Sequence, residues 1–497
     1  MTSGRSGPTT ASSAPCWSPG AEPMTSVPQP LRVVIIGGGL TGASLAWQLA
    51  RMALPARITV VEPRAELGRG LAYSSRDPAH RINVPAHRMS IDPEDRGDFL
   101  SWLQADPARL TPDAQAEGGD IYPQRGLFGS YVADRLAPHL ASGAIRHIRA
   151  RVSDIERAGD GSFVLILSDE SRIRAELLVL ATGHPAPALP KLLAGLSGQP
   201  ALIADPQDEA RLAEVPQDAR VLILGAALSA ADVIATLDRQ GHRGAITCLS
   251  RRGLRSRGQG PRGQDSSADF LDPPSRQASD LLRRVRHAIV DEQARGQDWQ
   301  AVFYRLRAQG QEIWTALPED ARRRLLRHAR TWWDVHRYRL PPQTETVIAG
   351  LIAQGRLQFL AGHLLRAEAG DAGILVNWRP RGRTDARQAV FDRVVVTTGP
   401  AQDRCIAASP ALGALARLGL IAPCPLGLGL ATTASCKALD AEGRASDRIL
   451  IAGPLARGHL GELVGAPECA AQAKDIAREI ARAAMLAPIT RSQLRTV

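Results

Sequence analysis

The sequence predicts an α/β fold in which parallel strands alternate with helices. Two observations support this prediction: a buried strand, a glycine turn and an alanine-rich helix open the ordered part of the chain, and a second unit of the same kind begins at Arg220. Each unit continues into another strand, which is typical of a crossover between parallel strands. With 497 residues, the chain is long enough for two or three domains.

The first unit begins with the apolar run Leu31–Ile36, which is typical of a buried parallel strand. A glycine turn follows this run and leads into a helix predicted over residues 43–52. A second strand, predicted over residues 57–61, ends at Glu62. The unit therefore has the strand, turn, helix and strand of a Rossmann βαβ element.

The turn of the first unit matches the pattern GxGxxG through Gly37, Gly39 and Gly42. The first glycine makes the tight turn, the second lets the backbone approach a pyrophosphate, and the third allows close packing of helix on strand. Glu62 follows about 20 residues after the last glycine, where a carboxylate accepts hydrogen bonds from both ribose hydroxyls. The unit therefore predicts a site for FAD, with a purely structural glycine turn as the alternative.

Between the two units, the apolar run Phe163–Leu167 predicts a further strand. The second unit combines the strand Val221–Leu224 with a helix predicted over residues 229–240 and a strand over residues 245–249. Gly225 keeps the first glycine of the motif, but Ala227 stands where close approach of a phosphate usually requires glycine. The alternative is a degenerate turn that binds no nucleotide.

The strand after this second helix ends in Ser250, Arg251 and Arg252. These residues replace the usual acid, and guanidinium groups beside a serine suit a ribose 2′-phosphate. The second unit therefore predicts a nicotinamide cofactor, with NADPH favoured over NADH.

Two similar strands, which end in Thr182-Gly183 and Thr398-Gly399, are the expected crossing points between domains. We predict a discontinuous FAD-binding domain over residues 31–200 and 395–497, with an NAD(P)H-binding domain over residues 205–394 inserted in it. A polar helical stretch at about residues 275–340 interrupts the second domain, as an insertion or cap would.

Residues 1–30 are rich in Ser, Thr, Pro and Gly, so we expect a disordered N-terminal extension, with Met24 as an alternative start. No segment approaches the roughly 20 consecutive apolar residues that span a bilayer. The six cysteines show no metal-binding spacing and no close pair, which favours reduced thiols and a cytoplasmic location. Without a cysteine pair, electrons leave a flavin directly to a substrate or to oxygen.

The formal net charge is +11, but only three of the 61 basic residues are lysines. This bias indicates an arginine-rich genome more than a surface for polyanions. Nucleic acid is therefore not an expected partner, although the stretch from Ser250 to Arg262 is locally basic.

Beyond these patterns, the sequence resembles the two-domain FAD/NAD(P)-binding flavoproteins, the class that includes FAD-dependent urate hydroxylase and an aspartate N-monooxygenase. The resemblance extends over about residues 31–485 and rests on segments 33–42, 68–73, 81–86 with Met89 and Ser90, 123–131, 181–185, 241–253, 333–341 and 453–468. It implies a loop along the isoalloxazine ring, formed by Gly70, Tyr73, Asn83, Pro85 and Ser90. It also implies a C-terminal turn at Gly453 and Pro454 that reaches the ribityl and pyrimidine end of FAD.

The predicted cofactor-binding residues follow from the motifs and from this resemblance. For FAD and its surroundings they are Gly37, Gly39, Leu40, Thr41, Gly42, Glu62, Gly70, Tyr73, Asn83, Pro85, Ser90, Arg125, Thr182, Gly183, Gly453 and Pro454. For the nicotinamide cofactor they are Gly225, Ser229, Arg251 and Arg252. No metal site is expected.

His336 and Arg337 are the candidates for contacts with a substrate or with the nicotinamide phosphates. A histidine flanked by arginines suits an anion. The alternative is a cluster on a helix surface, packed by the neighbouring tryptophans Trp332 and Trp333.

Three functions fit these features. The first is an NAD(P)H-dependent flavin monooxygenase that uses molecular oxygen to hydroxylate a small polar substrate, such as a urate-like purine or an amino acid. The second is a flavin reductase or oxidase that transfers no oxygen atom. The third is a non-catalytic or RNA-associated FAD-binding protein, which only the positive charge supports.

Overall fold

The computed structural model describes residues 1, 4, 7, 30–260 and 266–490, with only the backbone described for residues 486–490. Nearly all of the predicted N-terminal extension, including Met24, lies outside the described residues. The same holds for Arg262 of the basic stretch.

The strands and helices of the described chain alternate as expected for an α/β fold. The strands are β1 (Leu31–Ile36), β2 (Ala56–Val61), β3 (Ile145–Ile148), β4 (Val152–Arg157), β5 (Phe163–Leu167), β6 (Arg172–Ala175), β7 (Leu177–Leu180), β8 (Leu202–Ile203), β9 (Val221–Leu224), β10 (Ile246–Ser250), β11 (Leu357–Gly370), β12 (Gly373–Pro380), β13 (Arg387–Phe391), β14 (Arg393–Val396), β15 (Lys437–Leu439) and β16 (Ala445–Ile451). The α-helices are α1 (Leu40–Arg51), α2 (Asp98–Gln104), α3 (Arg125–Ala141), α4 (Glu209–Ala213), α5 (Leu228–Arg239), α6 (Ala278–Ala294), α7 (Trp299–Ala308), α8 (Gly310–Ala316), α9 (Glu319–His328), α10 (Arg330–Arg337), α11 (Pro342–Ala353), α12 (Cys405–Ala408), α13 (Pro410–Arg417), α14 (Arg457–Leu460) and α15 (Ala466–Thr490).

The first sheet has the strand order β15-β16-β7-β1-β2-β3. Its strands β16, β7, β1, β2 and β3 are parallel, and β15 pairs antiparallel to β16 at the edge. The central strand β1 is buried from Val33 to Ile36, which explains its continuous apolar sequence. The helices α1, α3 and α15 pack together over this sheet.

The second sheet has the order β13-β12-β11-β10-β9-β14-β8. Strands β8, β14, β9, β10 and β11 are parallel, and β12 and β13 extend the sheet as antiparallel strands. Because β14 pairs with β9 and β8, the chain leaves this sheet after Val396, slightly beyond the predicted start of the second FAD segment at residue 395. The predicted α/β class with two Rossmann-like units is confirmed.

Five helices, α6 to α10, form a block that we call the helical cover (residues 278–337). It has a small core of its own, which includes Phe270, Val302, Leu306 and Leu317. The polar helical stretch predicted near residues 275–340 therefore exists as a separately packed unit. A further antiparallel sheet, β4-β5-β6, was predicted only in its middle strand.

Buried polar contacts join the two sheets. The Asp77 carboxylate accepts hydrogen bonds from the Thr236 hydroxyl at 2.7 Å and from Nε of Arg239 at 2.8 Å. Two further pairs reinforce the junction: Ser75 donates to Glu209 at 2.7 Å, and Arg125 forms a bidentate pair with Asp232 at 2.9 Å. We call these contacts the sheet-bridging network. They fix the segment before α3 against helices α4 and α5.

No helix of the described chain is both long and apolar enough to cross a membrane.

Candidate functional site

The glycine turn after β1 uses its glycines for two different purposes. A Cβ at Gly37, where φ is +103°, would lie 2.4 Å from the Ala181 carbonyl oxygen, and a Cβ at Gly42 would lie 2.0 Å from the Gly37 oxygen. These two glycines are therefore required by the backbone itself. Gly39 has an ordinary φ of −66°, and a Cβ there would meet only the Gly70 Cα, at 3.4 Å. The backbone at Gly39, at the N-terminus of α1, therefore does not itself require a glycine.

Gly70 lies opposite Gly39 and has a φ of +52°. A Cβ at Gly70 would lie 3.1 Å from the Gly39 Cα, so the two glycines are in close backbone contact and neither presents a side chain at the start of α1. Such a cradle without side chains, at the start of a helix, fits a pyrophosphate, because backbone N–H groups and the helix dipole face it. The residues present therefore fit the diphosphate of FAD.

Glu62 is buried, with 4% of its surface exposed, at the end of β2. Its Oε2 accepts from the Gly38 N–H at 2.9 Å, and its Oε1 accepts from the backbone N–H and the guanidinium of Arg64, both at 3.1 Å. A carboxylate has about four acceptor positions, so capacity is left for a ribose hydroxyl. Glu62 thus holds the glycine turn and is also positioned as the predicted ribose ligand requires.

Two other predicted FAD segments, at Thr182 and at Gly453, reach the same turn from distant parts of the chain. Ala181, next to Thr182, touches Gly37, and a Cβ at Gly453 would lie 2.7 Å from Oγ1 of Thr41. The Gly453 N–H donates to Oε1 of Gln472 on α15 at 2.7 Å, which fixes this C-terminal turn beside α1. The structure therefore brings the N-terminal and C-terminal parts of the predicted site together.

Arg125 is engaged elsewhere. Its Nη1 and Nη2 bind Asp232, and its Nε and Nη2 donate to the Arg81 carbonyl oxygen at 3.3 and 3.2 Å. Asp232 also raises the pKa of Arg125, against the lowering effect of burial. All three guanidinium nitrogens serve the sheet-bridging network, so this geometry gives no support for the predicted contact of Arg125 with a cofactor.

A large cavity of about 1170 Å³, here called the central cavity, lies next to the predicted isoalloxazine loop. Pro85 and Ser90 of that loop form one wall, Tyr304 and Arg307 of the helical cover form another, and Glu468 at the start of α15 contributes to a third. Because α7 supplies part of the lining, the helical cover closes one side of the cavity. The sequence had left the role of this helical block open.

An ion-pair network fastens the helical cover to the C-terminal segment. Arg337 is buried and lies 2.8 Å from Glu462 and 3.5 Å from Glu468, and Arg307 lies 2.5 Å from Glu468. Trp314 of the cover also donates to the Gly458 carbonyl oxygen at 3.1 Å. Arg337 therefore has carboxylate partners within the chain, although it lines a small annex of the cavity.

His336 lies in an aromatic cluster. Its Nδ1 is 2.7 Å from the Trp332 carbonyl oxygen, and its ring stacks on Phe303 with centroids 5.0 Å apart and packs edge-on against Trp299. Burial lowers the pKa of His336 below its usual value. His336 does not line the central cavity, so its geometry supports the packing interpretation more than a substrate contact.

The second glycine turn is open at the N-terminus of α5. Gly225 has a φ of +135°, and a Cβ there would lie 2.2 Å from the Thr397 hydroxyl, so this glycine is required by the backbone. Ala227 has an ordinary φ of −94° and is exposed together with Ser229. Arg251 is exposed, and within the part of the chain that the structure describes, Arg252 donates only to the His328 carbonyl oxygen, at 3.3 Å. Both guanidinium groups are therefore accessible to a ligand.

Sequence reasoning missed the arginines and the tyrosine that line the cavity: Arg88, Tyr304, Arg307 and Arg339. Arg88 lies beside a segment that carries the family resemblance, and Arg339 lies within another such segment. This position in the sequence was the one available signal for these two residues. Among the described residues, no group of three His, Cys, Asp or Glu side chains is arranged to hold a metal ion.

Comparisons with known proteins agree with this geometry. Residues 34–185 match a family model described as FAD-NAD(P)-binding. A search of curated proteins gives no match. The chain thus contains an FAD-NAD(P)-binding type of domain around the first glycine turn.

Solved structures resemble most of the chain at low sequence identity. An ornithine hydroxylase from Pseudomonas aeruginosa is 15% identical with a TM-score of 0.63, covering 91% of this chain and 99% of its own. L-lysine 6-monooxygenase from Pseudomonas syringae is 19% identical with a TM-score of 0.61, covering 92% and 99%. Ornithine N-hydroxylase from Kutzneria sp. 744, solved with reduced FAD, NADP+ and L-ornithine, is 16% identical with a TM-score of 0.61, covering 91% and 99%. At these identities the likeness establishes the shared fold.

Proposed function

We propose that this protein is an FAD-dependent, NAD(P)H-using monooxygenase that hydroxylates a small polar molecule with molecular oxygen. The observation that carries the proposal is the central cavity of about 1170 Å³ between the predicted isoalloxazine loop and the helical cover. A cavity of this size, adjacent to a cofactor site and lined by a few polar groups, is typical of an enzyme's substrate site. The shared fold with three monooxygenases supports the same assignment.

The chain's own residues would divide the work as follows. The backbone around Gly39 and Gly70, free of side chains at the start of α1, holds the FAD diphosphate, and Glu62 holds the ribose. Arg251 and Arg252 hold the 2′-phosphate of NADPH at the open end of α5. When bound, FAD supplies the redox chemistry: it accepts a hydride and, once reduced, reacts with oxygen.

The helical cover keeps water away from the reacting groups. Its attachment through Arg307 and Arg337 to Glu462 and Glu468 is largely buried, so solvent screens these ion pairs little. Exclusion of water is what separates oxygen transfer from wasteful formation of hydrogen peroxide in enzymes of this kind. The cover therefore has a direct role in the proposed reaction.

The expected substrate is a small polar molecule, a urate-like purine or an amino acid. The lining of the central cavity supports this choice, because it combines arginines with the carboxylates of Asp92, Asp120 and Glu468. The cytoplasmic location stays an expectation. It rests on the cysteine spacing.

The test uses the purified, FAD-loaded protein without oxygen. NADPH should bleach the flavin absorbance, NADH should do so more slowly, and one member of a panel of purines and amino acids should accelerate the bleaching. With oxygen, consumption of that compound should exceed release of hydrogen peroxide. Bleaching with stoichiometric peroxide and no altered substrate would favour a reductase or oxidase, and a flavin that neither cofactor reduces would refute the proposal.

A further inference from the structure

A small annex at the edge of the central cavity has an unusual charge. We call it the arginine corner; its volume is about 30 Å³, and it shares Val84, Pro85 and Arg88 with the lining of the larger space. Every charged residue that lines it is an arginine: Arg88, Arg307, Arg337 and Arg339.

Two of these arginines are neutralised within the chain. Arg307 is paired with Glu468, and Arg337 is paired with Glu462 and, at a longer distance, with Glu468. The two carboxylates are therefore already shared by two guanidinium groups. They leave no carboxylate in this network for the other arginines of the corner.

Arg339 is a buried cation with neutral partners. It is 6% exposed, its Nε donates to the His336 carbonyl oxygen at 3.0 Å, and its Nη1 donates to the Tyr304 hydroxyl at 2.9 Å and to Oε1 of Gln300. Within the described chain, it forms no ion pair with a carboxylate. A buried charge without a counter-charge is costly, so an anionic ligand would be bound with a corresponding gain.

Arg88 approaches the same point from the opposite wall. Its guanidinium lies 5.5 Å from the centre of the Tyr304 ring, and that of Arg339 lies 4.5 Å from the same centre. Arg88 is half-buried and forms no ion pair with a carboxylate of the described residues. The two unpaired guanidinium groups thus border one small space beside Tyr304.

We propose that the arginine corner binds a carboxylate or similar oxyanion of the molecule that is hydroxylated, and that the substrates are consequently small anions or zwitterions. The identification of the bound anion as the substrate rests on the proposed function. A space of about 30 Å³ suits one carboxylate group, while the rest of the molecule extends into the central cavity. Arg88 and Arg339 are then specificity-determining residues, because guanidinium groups match the planar carboxylate in charge and shape.

The test measures anion binding directly on the FAD-loaded protein. The probe is malonate, titrated by calorimetry in a low-salt buffer, with uncharged malonamide as its matched control. The parent should bind about one malonate per chain and no malonamide. Arg88→Met should weaken malonate binding by roughly tenfold to a hundredfold, the usual effect of losing a charge-assisted hydrogen bond.

Arg286→Met is the control variant, because Arg286 is exposed on α6 and lines neither the central cavity nor the arginine corner. It should change malonate binding by less than a factor of about three, the screened effect of a distant charge. Equal losses in both variants, equal binding of malonamide, or no saturable binding by the parent would overturn the proposal.

Titration with NADP+ shows whether the oxyanion bound by the arginine corner belongs to the substrate or to the phosphates of the cofactor. Arg88→Met should leave NADP+ affinity unchanged; a loss equal to that for malonate would assign the corner to the cofactor phosphates and overturn its assignment to the substrate. The proposed function fails by a different measurement, namely a flavin that NADPH does not reduce. A protein that binds malonate through Arg88 but is not reduced would retain the anion site and lose only the monooxygenase assignment.

Discussion

Replacing Gly39 by valine should remove FAD while leaving the fold intact. The backbone of Gly39 has a φ of −66°, which a residue with a side chain adopts without strain, and a Cβ there has no contact closer than 3.4 Å. The added side chain lies against Gly70 at the start of α1, where the diphosphate is expected. Gly42 offers the contrast, because a Cβ at that position would lie 2.0 Å from the Gly37 oxygen.

The magnitudes follow from these contacts. Gly39 caps α1 without a side-chain hydrogen bond, so changing this cap should alter the unfolding free energy of the FAD-free protein by less than about 1 kcal/mol. The extra carbons of valine at the expected diphosphate position cost about 1–3 kcal/mol of FAD binding. This cost weakens FAD binding roughly tenfold to a hundredfold. Gly42→Val should instead destabilise the protein itself by more than about 3 kcal/mol.

Two measurements separate these outcomes. The ratio of visible flavin absorbance to protein absorbance reports FAD retention, and urea unfolding of the FAD-free protein reports stability. Gly39→Val should be colourless and folded, whereas Gly42→Val should be poorly folded. A Gly39→Val protein as yellow as the parent would refute the reasoning, and one as unstable as Gly42→Val would show that this glycine serves the fold.

Two further predictions concern the cofactor and the junction between the sheets. Replacing Arg251 and Arg252 together by alanine should raise the KM for NADPH by roughly tenfold to a hundredfold and leave the KM for NADH nearly unchanged, because only NADPH carries the 2′-phosphate. Steady-state assays with both cofactors measure this difference. Equal losses with NADPH and NADH would contradict the assignment. Burial alone would raise the pKa of Asp77, but hydrogen bonds from Arg239 and Thr236 outweigh it and lower that pKa below its ordinary value. The carboxylate therefore stabilises the folded protein above about pH 4, and this contribution is lost as the pH falls through the lowered pKa. Unfolding free energies from about pH 5 down to about pH 2, which span the ordinary carboxyl pKa of about 4 and the range below it, should fall less steeply in Asp77→Asn than in the parent, and parallel curves would exclude this role.

Local patterns predicted the elements of the fold with good accuracy. The strands Leu31–Ile36, Phe163–Leu167 and Val221–Leu224 have the predicted bounds, because each is an unbroken or nearly unbroken apolar run that ends at polar or turn residues. The first helix begins at Leu40, three residues before the predicted start at residue 43, because Gly39 itself caps the helix and the last motif glycine is already helical.

Contacts between distant segments could not be predicted in this way. Arg125 was expected at a cofactor, but its partner Asp232 is 107 residues away on a helix of the other sheet. The central cavity likewise combines side chains from residues 84–122, 259–308 and 467–471. No periodicity in the sequence records which of these segments meet, so the arginine corner became visible only in the folded chain.

The sheet-bridging network has a consequence for protein engineering. Its donors and acceptors come in complementary pairs from both sides of the junction, so neither of the two predicted domains can be exchanged without breaking these pairs. A chimera that imports a foreign nicotinamide domain in place of residues 205–394 would replace Thr236 and Arg239 and leave the buried Asp77 carboxylate without these two side-chain hydrogen-bond donors. Cofactor preference in this scaffold is therefore better altered by point substitution at Arg251 and Arg252 after β10, or by transplanting the segment that carries Asp77 together with the foreign domain.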